Sequence, residues 1–436
     1  MIFSPDVMKV ARVLGVPIGL TMATGLAGAH AQNSSPAPVS ATQDQSAAGT
    51  PAAPPSRLYG GIEYLHWWVK GAPLSVPLVS TGPVANKEGF LINSNTTILY
   101  GAPFSPAVGG NDQQSFPGFS GARLTVGYWL DDDQRYGVEA SGFLLQSRTT
   151  TFQAQGDSTG SPGLRVPVYN SISYAPGGRC DQSNPTACLI TPQEDGVPLS
   201  IPNELTGGAQ VTNSLQLGEF DLTGVIPLYR NSSWQISGLA GGTFLQLNEG
   251  FNLTTTLAGV TSSKAFAGQS GFTVDEFKTR NRFYGATLGV RGRYNYGPMF
   301  VEGTGRVSFG ASQEVLTVNG AYKDFGASFA NSIGPYGIFA MPANEGKFTK
   351  VNFAVVPAVQ VKLGYNITPS IALTVGYDFL YDSNVIRPGD QIDRNIPKGQ
   401  TYQQDGTAPS LTSPAKLFRT TGFYAQGISI GVVFRL

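Results

Sequence analysis

The stretch that decides the fold runs from Asn352 to Tyr381, NFAVVPAVQVKLGYNITPSIALTVGYDFLY. In its first half Phe353, Val355, Val359, Val361, Leu363 and Tyr365 share one face, and Asn352, Ala354, Ala358, Gln360, Lys362 and Gly364 share the other. In its second half Ile371, Leu373, Val375, Tyr377, Phe379 and Tyr381 alternate with Ala372, Thr374, Gly376 and Asp378. Alternation with a period of two marks β-strands, and Asn366 to Ser370 is short enough to be the turn between them. Each half is long enough to supply the roughly 9 to 11 residues that a tilted strand needs to cross a bilayer. The apolar row suits lipid, and the row of small and charged residues suits a polar lumen.

Working outward, the same reading predicts ten strands: Leu58 to Val69, Phe119 to Leu130, Tyr136 to Ser147, Ser214 to Leu228, Trp234 to Leu247, Arg282 to Tyr296, Met299 to Gln313, Phe348 to Tyr365, Ile371 to Asn384 and Phe418 to Leu436. Tight connections (Asp131 to Arg135, Tyr229 to Ser233, Gly297-Pro298, Asn366 to Ser370) alternate strictly with long ones. That order predicts an all-β, closed, antiparallel up-and-down transmembrane β-barrel with short periplasmic turns and long outer loops. Twelve strands is the alternative, because the long segments after Val69 and Ser147 each have room for a hairpin. The loop around Pro192 to Thr212 is expected on the outer surface. An even strand count puts both ends of the barrel on the short-turn side. Aromatics beside the short turns (Tyr128, Trp129, Tyr136, Tyr229, Trp234, Tyr294, Tyr296, Tyr365) predict a girdle at the headgroup level.

Composition agrees. Of 436 residues only 13% are charged, 11% are aromatic and 55 are glycine. A soluble α/β enzyme carries about 25% charge, and a disordered chain has few aromatics. Net charge is zero and no basic run is long enough to follow a phosphate backbone, so no nucleic-acid partner is expected. Lys9 and Arg12, the apolar stretch Val13 to Leu26 and the small-x-small motif Ala29-His30-Ala31 read as a signal peptide over 1–31. Residues 32–56, rich in Ala, Pro, Ser and Gln, read as a periplasmic linker, and 57–436 as the barrel. Cys180 and Cys188 are the only cysteines and lie in a polar, Pro/Gly-rich stretch. In an oxidising compartment they are expected to form a disulfide, with two free thiols as the alternative.

Two stretches carry a family resemblance: EYLHWWVKGAPLSVPLVSTG (Glu63 to Gly82) and FSGARLTVGYWLDDDQRYGVEASGF (Phe119 to Phe143). Both resemble the putative beta-barrel porin family seven, barrels common in planctomycetes. The resemblance implies a place in the bacterial outer membrane, among outer-membrane lipid, and supplies neither catalytic residues nor an established substrate. The alternation Ile428, Ile430, Val432, Phe434, Leu436 resembles the terminal strand that barrel-assembly machinery recognises, although it ends in leucine rather than an aromatic residue.

The strand interiors hold the candidate site. In this phasing the acids Glu63, Glu139, Glu219, Asp221, Glu302 and Asp378 and the bases Arg123, Arg291, Arg293, Arg306, Lys362 and Arg435 point inward. Unpaired ions in a confined lumen are costly, so pairing across strands is expected. Such charges either form a structural network that fills a narrow barrel or line a small aqueous path, and ten strands lie near the filled end of the range. The two functions left open are a porin-like barrel passing small polar solutes, and a structural or surface-binding barrel whose long loops carry the activity. No catalytic constellation, cofactor motif or metal site stands out, and an enzyme is not expected. His66, the only histidine beyond the signal segment, is in phase with Tyr64 and Trp68 on the lipid face. Asp131-Asp132-Asp133 lacks the alternate-residue spacing of a calcium loop and reads as a solvated turn. Gly303-Thr304-Gly305 has no following helix, so it cannot cradle a nucleotide phosphate.

Overall fold

The computed structural model describes residues 57–82, 94–170, 193–325, 333–396 and 413–436. Ten strands form the wall: β1 (Leu58–Val69), β2 (Phe119–Trp129), β3 (Gly137–Leu145), β4 (Leu205–Arg230), β5 (Trp234–Gly259), β6 (Ser270–Tyr296), β7 (Met299–Phe325), β8 (Gly346–Asn366), β9 (Ile371–Ile386) and β10 (Thr420–Arg435). Each pairs antiparallel with its chain neighbour. β10 returns to β1 in the register Tyr59↔Arg435 to Val69↔Ala425, which closes the ring. After β3 the chain resumes as Arg148–Gln155 and pairs with the far half of β4. The expected signal segment and linker, and Cys180 and Cys188, lie outside the described residues.

The expected strands are all present, but β4 to β7 run well beyond the predicted ends. β4 begins at Leu205 rather than Ser214, and β5 ends at Gly259 rather than Leu247. β6 begins at Ser270 rather than Arg282, and β7 ends at Phe325 rather than Gln313. The reason is an inversion of facial polarity within one strand. On the near half of β4, Phe220, Leu222, Ile226 and Leu228 are exposed while Glu219, Asp221 and Thr223 are buried. On the far half Ala209, Val211, Leu215 and Leu217 are buried, and Gln210, Thr212, Ser214 and Gln216 alternate with them on the outside. The strand leaves lipid for water there, and apolar burial moves to the inside of the barrel.

The apolar outer band is bounded by two aromatic rows. The row at the short turns matches the expected girdle, except that Trp129 follows the outward Tyr128 by one position, faces inward and packs on Tyr59 at 5.7 Å between ring centroids. The far row was not foreseen: Phe220 pairs with Phe244, Phe244 with Tyr284, and Phe353 with Ala311 beside Tyr284. From Tyr294 to Tyr284 on β6 is ten residues. At about 3.3 Å rise and a tilt of about 40°, that spans about 25 Å, the height of a barrel's hydrocarbon band.

The long segments expected as outer loops instead turn inward in large part. Pro77–Thr81 pairs with Thr97–Gly101, and Leu164–Asn170 pairs with Gln193–Ser200. These hairpins join with Val108–Gly109 and Asn395–Ile396 in a separate six-stranded sheet. The extra hairpins that would have made twelve wall strands therefore exist, but they lie inside a ten-stranded ring. Leu78, Val79, Val166, Val168, Val197 and Leu199 pack against Val211, Phe251, Leu253, Phe277, Leu316 and Val318 of the wall. No lipid reaches the inner apolar surface of β4 to β7, so the chain must cover it with its own residues. Residues 193–200 accordingly belong to this inner sheet and not to an exposed loop. A second apolar layer lies toward the short turns and includes Leu65, Trp67, Phe119, Phe143, Leu217, Leu245, Phe283 and Phe423.

Both described ends of the barrel meet at the short-turn side, where Leu436 N donates to Leu58 O at 2.8 Å and Trp129 N to Arg57 O at 2.8 Å. The Asp131 carboxylate caps its own turn, accepting from Arg135 N at 2.8 Å and Tyr136 N at 3.1 Å. The two-residue turn Gly297-Pro298 needs φ +59° at its first position, which glycine supplies without strain.

Candidate functional site: a charged vestibule in the lumen

Between the short turns and the second apolar layer, the ring of strands encloses a cavity of ≈ 440 Å³. Its lining reaches the short-turn rim at Gln134, Arg230 and Asn366 and includes Trp67 of the apolar layer at the other end. Period-two alternation fixes what projects into it: every lumen residue on a wall strand is two positions from the next.

All twelve predicted charges fall on the lumen side, and eleven form ion pairs. Arg123 on β2 donates to Glu63 on β1 at 2.9 Å and to Asp378 on β9 at 2.8 Å. Lys362 on β8 also pairs with Glu63, and Gln360 donates to Asp378 at 2.6 Å. Two further contacts cross the lumen. Arg291 on β6 grips Glu139 on β3 with two nitrogens, at 2.9 and 2.7 Å, in the two-pronged geometry that a planar guanidinium favours. Arg306 on β7 reaches both Glu219 and Asp221 on β4. Arg293 and Glu302 are neighbours at 3.7 Å, and the Arg293 guanidinium sits 3.4 Å from the centroid of the Phe300 ring. Arg435 is the exception: it lines the cavity and makes no ion pair among the described residues.

Uncharged groups that charge-spotting missed complete the site. Tyr59 donates its hydroxyl to Glu139 at 3.1 Å. Thr243 donates to Asp221 at 2.5 Å and is linked to Thr287, which is linked to Ser308 at 2.7 Å. Two glycines let aromatic rings lie flat against the wall. A Cβ on Gly127 would stand 2.0 Å from Tyr59 Cζ, and one on Gly364 would stand 2.0 Å from Phe300 Cζ. Strand phase was the available signal, since it puts Tyr59, Thr243, Thr287 and Phe300 on the charged face. His66 remains outside, edge-on to Trp68 at 5.0 Å.

A closed antiparallel ring with an apolar band, two aromatic rows and a polar lumen defines a transmembrane β-barrel of the outer-membrane class. The chain belongs to the family described as Putative beta barrel porin-7 (BBP7), whose model matches residues 59–436. Its place is the bacterial outer membrane. Among solved structures it is similar to the outer membrane protease OmpT from Escherichia coli, at 11% identity and a TM-score of 0.39, over 89% of this chain and 99% of that one. It is also similar to a Pseudomonas aeruginosa FadL homologue, at 7% identity and a TM-score of 0.22, over 87% and 90%. No curated protein matches it in sequence.

Proposed function

We propose that the protein is a gated, porin-like outer-membrane barrel that admits small polar solutes to a charged vestibule from the periplasm and passes them only when its inner sheet shifts. The observation that carries this reading is the vestibule, a cavity of ≈ 440 Å³ lined by charged, polar and apolar side chains, reaching the rim at the short turns and roofed by side chains at its other end. Its lining holds seven bases (Arg123, Arg230, Arg291, Arg293, Arg306, Lys362, Arg435) and four acids (Glu139, Asp221, Glu302, Asp378). Glu63 and Glu219, paired to Arg123, Lys362 and Arg306, bring the acids to six, so the excess is one base. Arg230 and Arg435, the two of these bases without an ion pair among the described residues, bias the space toward anionic over cationic traffic. The bases and acids hold one another rather than a reacting group, and the barrel's one histidine faces lipid, so the reading assigns no catalysis.

Arg387 is the natural latch. It is fully buried, pairs with Glu249 on β5 and donates to Gly71 O at 2.6 Å, tying the segments that follow β1 and β9 to the wall. Planar-bilayer recording tests the reading. Wild-type protein is expected to give rare, salt-dependent steps with a reversal potential displaced toward anions, and Arg387→Met is expected to open more often. A second reading rests on the packed outer half: a structural or surface-binding barrel that does not conduct. Silence of both proteins at high load, in preparations shown to be folded, would favour it.

A further inference from the structure

Beyond the far aromatic row, the outward faces of β4, β5 and β7 carry uncharged residues such as Gln216, Gln246, Asn248, Gln313 and Thr317. β6 departs from this. Arg282, Arg280 and Lys278 follow one another on its outward face, beginning one outward position beyond Tyr284. Across the sheet, Lys278 pairs with Thr317, and Thr317 pairs with Lys347 of β8, so the two lysines share a row. Lys278, Arg280 and Lys347 are exposed. Arg282 donates to Gln246 Oε1 at 3.3 Å, and Lys278 pairs with Glu276 at 2.5 Å. Arg280 and Lys347 make no ion pair among the described residues. The wall therefore presents a net positive column in a chain where only 13% of residues are charged.

We propose that this column binds the phosphate of an anionic lipid headgroup in the outer leaflet. Position argues for lipid. The column starts where the apolar band stops, so a lipid whose acyl chains lie along Tyr284, Leu288 and Val290 brings its headgroup to Arg282 and Arg280. All three of those apolar side chains are exposed. Chemistry argues for phosphate. Guanidinium groups match phosphate oxygens with paired donors, and a basic residue near an anionic membrane surface gains from the local potential. Among the described residues Glu276 is the one acid on this face, and it is held by Lys278. The cross-strand neighbours of the two arginines offer no competing anion: Arg280 lies between Asn248 and Val315, and Arg282 between Gln246 and Gln313. Like charges on one strand face repel each other, and a bound phosphate relieves that repulsion. This site is on the outside of the wall and is independent of whether the lumen conducts.

The test uses the full barrel in phosphatidylcholine nanodiscs, with diphosphorylated lipid A as probe and its dephosphorylated form as control, read as lipid retained in native mass spectrometry. Wild-type protein is expected to retain the phosphorylated form selectively and to lose it as salt rises. The combined variant Lys278→Gln, Arg280→Gln, Arg282→Gln is expected to bind at least roughly tenfold more weakly while keeping its heat-modifiable gel migration. Arg135→Gln, at the opposite end, is expected to change nothing. Equal retention of both lipids by wild type, undiminished retention by the triple variant, or the same loss in Arg135→Gln would overturn the proposal. Displacement of the lipid by an equal concentration of inorganic phosphate would also overturn it, because the site would then be one for free anions.

Discussion

At the scale of single residues, the lumen is governed by what happens when one partner is removed. Glu219 and Asp221 both face Arg306, whose side chain is 20% exposed. Arg306→Met leaves two carboxylates together without a counter-ion. Breaking a buried pair in this way costs about 3–5 kcal/mol, and the residual exposure puts this case at the lower end. Adding Glu219→Gln and Asp221→Asn should restore most of that loss, which unfolding by denaturant in detergent micelles would measure. If the triple variant is no more stable than Arg306→Met, the pairing is not what holds this layer. Gly364 sets a different constraint. Its missing side chain is the seat of the Phe300 ring, and the ring in turn carries the Arg293 guanidinium. Gly364→Val should cost about 1–3 kcal/mol by overpacking. In the Phe300→Ala background the same change should cost clearly less, and a full additive cost would show that ring and glycine do not interact.

At the scale of elements, what was legible depended on which solvent a face met. β8 and β9 stay at the level of lipid for most of their length, so Phe353 to Tyr381 showed their phase, their turn and their lumen residues directly. β4 to β7 were legible only as far as the far aromatic row, because the rule that apolar means outward reverses there. Leu215 and Leu217 are apolar and inward, whereas Leu222 is apolar and outward on the same strand. The twelve lumen charges were readable because a charge on a lipid-crossing strand has one tolerable side. Arg387 and Glu249 were not, since they lie beyond the lipid-level pattern. The inner sheet was harder to read for a related reason: Pro77–Thr81 buries both of its faces and shows no alternation, and in Leu164–Asn170 the buried Pro167 interrupts the half-buried face of Arg165 and Tyr169. Asp275, on the extended part of β6, shows how inner segments are held. Its carboxylate accepts from Ile338 N at 3.1 Å and from Phe339 N and Ala340 N, both at 2.7 Å. Burial nevertheless pushes its pKa up to about 6 from 3.8. A carboxyl raised in the folded state binds its proton more tightly there than in the unfolded chain. Its stabilising contribution is therefore complete below 3.8 and is lost as pH rises through about 6. Hydrogen exchange at the Ile338 to Ala340 amides, corrected for intrinsic rate, should be slower at pH about 5 than at pH about 7. Asp275→Asn should abolish that difference, and an unchanged difference in the variant would assign it to another group.

At the scale of the whole molecule, sidedness follows from the distribution of backbone groups. Polar segments cannot rest in hydrocarbon, because their N–H and C=O groups would go unpaired, so the long connections must all emerge at one end. Insertion from the periplasm would carry that end across the membrane and leave the short turns behind. The structure refines which residues should then be reachable. Residues 193–200 form a strand of the inner sheet, and the start of β4 is largely buried, so a tag in 193–200 should cost the protein its heat-modifiable migration rather than report topology. The β5–β6 connection is different. Ala267 and Gly268 are exposed, and Gly268 has nothing within 4 Å of where a Cβ would stand. An epitope inserted between them should be bound by antibody on intact cells. The same epitope within Asp131 to Arg135 should be bound only after the outer membrane is permeabilised. Labelling of both sites on cells whose outer membrane is shown to be intact, or of the Asp131 site alone, would reverse the orientation. It would then place the vestibule mouth, and the anionic solutes it favours, on the outside of the cell.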